Sequence, residues 1–206
     1  MGELIFSGKY GVKKYFIDIN SDTLSKQLSK RKGKYYTLNC SRLFCTSEPA
    51  RKYITKQVVE IFSDFLQDIS GTVMVVGLGN AFLVADSLGA AVVKNILTTH
   101  NIPAEIRQDL GDVCALIPGV SGINGFATAD IVQGAVNTVH PKCVIVIDAL
   151  TAKDASRLGC SFQFSNTGVS PGAGIGNFNK DISRETLGVP VVAVGVPMMI
   201  DAGSFG

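Results

Sequence analysis

The clearest pattern in the chain is an alternation of short, fully apolar runs with longer segments whose apolar residues recur at helical spacing. Residues 72–77 and 143–148 are runs of the first kind, which are typical of strands buried on both faces of a parallel sheet. Residues 87–99 and 128–139 have the helical spacing. This order predicts a doubly wound α/β fold, a mostly parallel sheet flanked by helices with right-handed crossovers.

Weaker patterns add further elements to this core. A helix is predicted to open at Ser47-Glu-Pro49, because serine is a good cap and proline suits the first turn. Short alternating or apolar runs predict additional strands at 12–19, 34–39, near 104–108, 161–165 and 191–196. We therefore expect one α/β domain over residues 1–206, with a small strand-rich N-terminal part, residues 1–45, packed on it.

Two aspartates stand where buried strands of this sheet are expected to end. Asp148 closes the run 143–148, and Asp86 follows the turn that Gly77 and Gly79 allow after the run 72–77. Ligands of open α/β sheets bind at the carboxyl ends of the strands, so a shared cleft is one interpretation. The alternative is that each aspartate only caps the helix that follows it. Two carboxylates on one rim favour the cleft.

Charge and cysteine content restrict the class of protein. A net charge of +2 gives no basis for binding nucleic acid or a membrane surface, and no apolar run reaches the ~18 residues of a membrane span. The N-terminus lacks the order of a signal peptide. The five cysteines lack the spacing of a metal site, which predicts reduced thiols in a cytoplasmic protein: Cys40, Cys45, Cys114, Cys143 and Cys160.

A basic polar stretch at residues 25–34 allows two interpretations. It is either a contact for an acidic partner or a solvated helix end and loop. Runs of charge usually face solvent, which favours the second interpretation.

Other cofactor and catalytic motifs fit poorly. Gly77-Leu-Gly79-Asn-Ala-Phe82 has phenylalanine where a dinucleotide fingerprint needs its third glycine, and Gly172-Ala-Gly174-Ile-Gly176 lacks the P-loop lysine. His140 precedes the strand that ends at Asp148 and is therefore roughly 25 Å from it. His100 ends the helix that begins near Asp86 and is similarly remote from the aspartates. Carboxylate chemistry remains, with no cofactor and no tightly bound transition metal expected.

These segments, taken in order, resemble those of a known family. The matching segments are Val75-Val-Gly-Leu-Gly-Asn80, Asp86-Ser-Leu-Gly89, Ile117-Pro-Gly-Val120, Val146-Ile-Asp-Ala-Leu150, Ser165-Asn-Thr-Gly168, Pro171-Gly-Ala-Gly-Ile-Gly-Asn177, Glu185-Thr-Leu-Gly-Val-Pro190 and Val194-Gly-Val-Pro197 with Asp201-Ala202. Together they closely resemble the bacterial spore germination proteases, endopeptidases that degrade small acid-soluble spore proteins. Members of that family are longer, so this chain resembles a short form of them.

The resemblance implies a function and a site. It implies an aspartic-type endopeptidase of the spore cytoplasm, a homo-oligomer on a fold like that of hydrogenase-maturation endopeptidases, with Asp86 and Asp148 as the essential aspartates. The hydrogenase enzymes bind nickel through carboxylates and a histidine, and no histidine follows Asp148 here. Which aspartate is acid and which is base stays open. Backbone N–H groups of two loops are candidates for stabilising the oxyanion from a position on the rim: Gly79, Asn80, Thr167, Gly168 and Gly174.

Two rival functions remain at this point. The chain is alternatively a catalytically inactive short homologue that binds spore proteins or protease subunits. A third hypothesis is a metal-dependent maturation peptidase that uses Asp86 and Asp148.

Overall fold

The computed structural model describes residues 4–41, 46–172 and 180–200 of the chain. Eight strands form one sheet, in the order β1-β2-β3-β7-β8-β6-β4-β5. Their bounds are β1 Leu4–Ser7, β2 Lys13–Ile19, β3 Gly33–Asn39, β4 Val73–Gly77, β5 Val113–Leu116, β6 Cys143–Ala152, β7 Ser161–Ser165 and β8 Val191–Ile200.

The sheet has a parallel half and an antiparallel half. Strands β5, β4, β6 and β8 run parallel, as the apolar runs predict for β4 and β6. Strands β1, β2 and β3 form an antiparallel meander, and β7 joins it to the parallel half by pairing antiparallel with both β3 and β8. The mixed sheet with its flanking helices confirms the predicted α/β class.

Helices cover both faces of the parallel half. The helices are α1 Asp22–Leu28, α2 Glu48–Leu66, α3 Leu88–Val93, α4 Ala104–Arg107, α5 Ser121–Asn124, α6 Thr128–Val139 and α7 Arg184–Leu187. On one face, side chains of α2 and α3 pack on Val75, Ile145 and Ile147. On the other, Val132 and Val136 of α6 pack on the core that contains Val76, Val144 and Val146. Alternate residues of β6 therefore belong to different cores.

The helix after the cap Ser47 is confirmed. The Ser47 hydroxyl accepts the N–H of Ala50 at 3.4 Å, and proline occupies the first turn. Ile54 and Ile61, seven residues apart and so on the same side of the helix, are buried. The cap and the apolar spacing together fix where this helix begins and which side it buries.

One predicted strand is wrong, and one predicted helix is shorter than expected. The strand expected near 104–108 is wrong, because these residues form α4 after Pro103 and the strand beside β4 is β5. Alanine, glutamate and arginine favour helix, which outweighs the short alternation. The helix expected over 87–99 ends at Val93, and the chain turns so that the buried Thr99 hydroxyl donates to Gly111 and accepts from the N–H of Val113.

No helix within the described ranges is long and apolar enough to cross a membrane.

Candidate active site

The loop after β4 encloses Asp86. Gly79 has φ +97°, and a Cβ on it would lie 2.1 Å from the Asp86 carbonyl oxygen and 2.7 Å from Oδ1. The N–H of Asn80 donates to Asp86 Oδ2 at 2.7 Å. Only glycine fits at position 79, since the backbone is left-handed and the space is filled. The loop thus fixes the Asp86 carboxylate from two sides.

Close backbone packing brings this loop onto the strand ends. A Cβ on Gly89 in α3 would lie 2.4 Å from the carbonyl oxygen of Leu78 and 2.6 Å from that of Ile147. The N–H of Leu78 donates to the Ile147 carbonyl at 2.8 Å, which continues the β4–β6 pairing past the end of β4. The 3-10 turn Val84–Asp86 contacts both β6 and β8. Asp86 therefore lies where β4 has ended and β6 and β8 continue, which leaves an opening in the sheet beyond β4.

Asp148 lies at that opening. It follows Ile147, the last residue of β6 opposite β4, and faces the same side as Val144 and Val146. Partial burial raises the pKa of Asp148 to about 6; the N–H of Ala149 opposes this, and the negative charge of Asp86 adds to it. The charge of Asp86 thus adds to the effect of burial on Asp148.

The helix-cap alternative is wrong for both aspartates. Strand β6 does not end at Asp148 but continues to Ala152 beside β8, so no helix begins there. The cap position of α3 is Ser87, one residue after Asp86, and it makes no side-chain cap hydrogen bond. Neither carboxylate is committed to a helix end.

A cavity of about 160 Å³ opens beside Asp148 on one face of the sheet. Its floor crosses from β6 over β8 and β7 to β3, because the alternate residues of these strands share a face. Gly195, opposite Asp148, has no side chain, and a Cβ there would lie 2.4 Å from Leu150 Cδ1. The lining includes Lys30, Tyr35, Thr37, Leu150, Gln163, Ser165, Gly168, Val169, Ala193 and Gly195.

The loop residues expected to stabilise an oxyanion divide into two groups. The N–H of Asn80 is engaged by Asp86, so Asn80 and Gly79 position that carboxylate. β7 runs antiparallel to β8, so the chain leaves Ser165 toward the amino edge of the parallel strands, and the role of the second loop stays a prediction.

Within that second loop, Gly168 still lines the cavity. Its φ is +82°, and a Cβ would lie 2.3 Å from the Ile182 carbonyl oxygen. The Thr167 hydroxyl donates to the Ser165 hydroxyl at 3.3 Å. The Thr167 carbonyl accepts a hydrogen bond from Arg31 Nη1 at 3.5 Å. Gly174 is outside the described residues, as is Cys45.

Both histidines lie at the amino edge of the parallel strands. His100 Nδ1 is 2.9 Å from Oδ1 of Asp112, the residue before β5. His140 closes α6 with φ 52°, just before β6. In the portion of the chain with described coordinates, no three histidine, cysteine or carboxylate side chains group as metal ligands do. Cys40, Cys114, Cys143 and Cys160 are free.

The cavity lining on β3 and β7 was missed at the sequence level. Tyr35 and Thr37 on β3 lie opposite Ser165 and Gln163 on β7. Their alternation identifies the face they share, but only the antiparallel pairing of β7 places that face beside Asp148.

The chain is similar in sequence to known germination proteases. The chain is 38% identical to a germination protease of Clostridium acetobutylicum over 91% of its length and 60% of that protein's. It is 36% identical to those of Bacillus velezensis and Bacillus subtilis, covering 55% and 54% of them. The chain thus spans about half the length of these relatives, or slightly more.

A structural neighbour is also found. It is the [NiFe] hydrogenase maturation protease HycI from Thermococcus kodakarensis KOD1, with a TM-score of 0.42 and 16% identity over 66% of this chain and 80% of that one.

A model of the germination protease family matches residues 7–206. This match covers almost the entire sequence, including both aspartates and the segments around them. The chain therefore belongs to the germination protease family.

Proposed function

We propose that this chain is an aspartic-type endopeptidase that hydrolyses small acid-soluble spore proteins during germination, with Asp86 and Asp148 as its catalytic pair. The observation that carries the proposal is that two carboxyl groups lie where β4 ends, on a turn that contacts β6 and β8 and on β6 itself, and that burial raises the pKa of the second, Asp148, to about 6. Such an environment is typical of a carboxyl group that exchanges protons in catalysis.

The surroundings of the two aspartates favour different roles. Asp86, oriented by the N–H of Asn80, takes a proton from a water molecule as the water oxygen attacks the scissile carbonyl carbon. Asp148, whose protonated form is favoured by burial, gives its proton to the carbonyl oxygen. Collapse of the tetrahedral intermediate then breaks the C–N bond. The proton held by Asp86 passes to the leaving nitrogen, and one hydroxyl of the intermediate returns a proton to Asp148 as the carbonyl re-forms.

The cavity is suited to an extended peptide. Its floor of small and polar side chains begins at Asp148 and continues over three neighbouring strands. A folded protein domain would not enter it, whereas an unstructured segment would. This supports a substrate that presents flexible chain.

Family membership supports two further proposals. We place the protein in the spore cytoplasm and expect it to assemble as a homo-oligomer. Light scattering on the purified chain measures the assembly directly, and a monomer at working concentration would contradict it.

The decisive experiment is incubation of the purified chain with a small acid-soluble spore protein, with fragments followed by mass spectrometry. We expect cleavage that persists in EDTA and stops in Asp86→Asn and Asp148→Asn. Asp130→Asn, an exposed aspartate on α6, is the control and should cleave as the parent does. Binding without cleavage by the parent and both variants would instead support the inactive homologue. Activity lost in EDTA and restored by a metal would support the metal-dependent peptidase.

A further inference from the structure

Two of the free cysteines lie opposite each other on neighbouring strands. Cys40 follows the last residue of β3, and Cys160 precedes the first residue of β7. The register of this antiparallel pair places Asn39 opposite Ser161, so the next position brings Cys40 opposite Cys160. The N–H of Cys40 donates to the Cys160 carbonyl at 2.7 Å, which continues the pairing by one residue. The two cysteines are therefore cross-strand neighbours, although they are far apart in the chain.

The side chains of both cysteines point toward α2, on the face of the sheet away from the cavity. Cys40 belongs to a core cluster with Phe164 and with Ile54 of α2. Alternate residues of a strand share a face, so Cys160 points to the same side as Phe164. Solvent reaches only 9% of Cys40 and 5% of Cys160. The two thiols therefore share one buried site.

The separation of the pair suits a disulfide bond. Opposite Cα atoms in a hydrogen-bonded antiparallel pair are about 5.5 Å apart. Disulfides join cysteines whose Cα atoms are about 4.4–6.8 Å apart. Burial raises the pKa of Cys40 to about 11, and the neighbouring Cys160 contributes to the rise. A contribution from Cys160 is expected when the two sulfur atoms lie close together.

The other two cysteines of known position have no such partner. Cys114 on β5 and Cys143 on β6 flank β4 and lie opposite successive residues of that strand. Successive residues point to opposite faces of a sheet, and the two thiols accordingly pack in different cores. Within the described ranges, Cys40 and Cys160 are therefore the one pair of cysteines placed for a cross-strand bond.

The position of the pair at the ends of two strands lets an oxidant reach it. Gly159, immediately before Cys160, has φ +62° and open space around it. The Cys160 N–H donates at 3.1 Å to the Arg157 carbonyl, in the turn that precedes β7. Strand ends open locally at a lower free energy than the centre of a sheet. The thiols are therefore protected in the closed structure and become reactive when this end of the β3–β7 pair opens.

We propose that Cys40 and Cys160 are a redox modification site, which closes to a disulfide when the folded protein meets a small-molecule disulfide. One cysteine thiolate attacks the small disulfide, forms a mixed disulfide and releases one small thiol. The thiolate of the other cysteine then attacks the protein sulfur of the mixed disulfide, which forms the Sγ–Sγ bond and releases the second small thiol. The protein thiols lose two electrons to the small disulfide, and their two protons end on the released thiols.

The bond joins two strands whose other face lines the cavity. Tyr35 and Thr37 of β3, with Gln163 and Ser165 of β7, form this part of the lining. Because the bond closes a long loop of chain, it restricts the unfolded state strongly. A reducing cytoplasm keeps the pair open. Oxidation therefore stabilises the pairing of β3 with β7 and leaves the side chains of the cavity in place.

The test incubates the folded chain overnight with excess oxidised glutathione, blocks the remaining thiols with N-ethylmaleimide and maps every cysteine by mass spectrometry. We expect a crosslinked peptide that joins Cys40 to Cys160 and separates after reduction with dithiothreitol. The same crosslink should form in Cys45→Ser. In urea, oxidation should lower the equilibrium constant for unfolding by about thirtyfold or more, the lower end of measured disulfide contributions.

Cys114→Ser is the matched control, because it removes a half-buried thiol from β5 and should keep both the crosslink and the stabilisation. Cys160→Ser should have neither. The inference would be overturned if Cys40 and Cys160 of the parent remain free thiols, keep glutathione as mixed disulfides or join other cysteines. If Cys160→Ser does not fold, the crosslink map of the parent decides alone. Since the assay needs no substrate, its result is independent of the proposed peptidase function.

Discussion

Asp112 and Asp148 belong to opposite edges of the same parallel strands and have contrasting surroundings. The Asp112 carboxylate lies within 2.9 Å of the Thr72 hydroxyl, His100 Nδ1 and Arg107 Nη1. Although desolvation acts to raise the pKa of Asp112, these donors outweigh it and lower the pKa to about 2. For Asp148, burial is the largest effect and the pKa rises to about 6.

The contrast distinguishes a structural carboxylate from one suited to exchange protons. The donors around Asp112 come from the end of α4 and from the segments before β4 and β5, so the carboxylate links these three segments. These contacts are strongest when Asp112 is ionised. At Asp148 the donor is the N–H of Ala149, which does not outweigh burial, so the charged form is costly and the pKa rises to about 6. The carboxylate at the amino edge of the sheet stabilises the fold, whereas the buried Asp148 carboxyl beyond the end of β4 lowers the unfolding free energy when it is ionised.

The largest expected effect comes from exchanging the reactive carboxyl group for an amide. Asp148→Asn should lower kcat/KM for spore-protein cleavage by about a thousandfold or more, because the amide cannot supply the proton. Asp112→Asn should stay within about twofold of the parent at temperatures where it is folded. Comparable losses in the two variants would remove the functional distinction between the edges.

A smaller loss is expected when the loop around Asp86 is disturbed. Gly79→Ala places a methyl group at φ +97° against the Asp86 backbone and carboxylate, so cleavage should fall about a hundredfold and unfolding free energy by about 1–3 kcal/mol. Gly125→Ala is the control, since φ is +76° but the space is open. It should lose only the ~1 kcal/mol of a left-handed backbone and keep its activity. Urea unfolding and initial cleavage rates measure both, and similar activity in the two variants would show that Gly79 does not position Asp86.

Local patterns were sufficient for much of the parallel half. The apolar runs at 72–77 and 143–148 identify β4 and the first part of β6, and the spacing over 128–139 identifies α6. Strand continuity past Asp148 was not predictable, because it depends on pairing with β8 after β4 has ended.

The residues that line the cavity could not be predicted because the sequence does not give the direction of β7. Alternation in 161–165 predicted a strand, and β7 has those bounds. Alternation carries no information on whether a neighbour runs parallel or antiparallel, and the partner residues Tyr35 and Ser165 are far apart in the chain. The lining by Lys30, Tyr35 and Gln163 follows from that pairing, so it was out of reach of the sequence.

The pH dependence of stability should carry the contribution of Asp148. Its pKa is about 6 in the folded state against an ordinary value of 3.8, so the folded chain binds more protons between these values. Unfolding free energy should therefore fall as pH rises from about 4 to about 6, by up to ~3 kcal/mol from this residue. Asp148→Asn should lack this fall and be more stable than the parent at pH 8. Urea unfolding at several pH values measures it, and parallel curves for parent and variant would contradict it.

The smallest effect, opposite in sign, is expected at the amino edge. Asp112→Asn keeps the shape of the side chain but loses its charge, and unfolding free energy at pH 7 should fall by about 1 kcal/mol because the group is partly exposed and screened. The folded pKa of Asp112 is lowered, so its stabilising contribution is present above the ordinary value of 3.8 and is lost as pH falls toward 2. The difference between parent and Asp112→Asn should therefore shrink between pH 7 and pH 3, whereas the exposed control Asp130→Asn should match the parent at both. If the difference in unfolding free energy between the parent and Asp112→Asn is the same at pH 3 as at pH 7, the charge of Asp112 does not contribute to stability. The electrostatic contrast between Asp112 and Asp148 would then be smaller than their hydrogen-bond donors indicate.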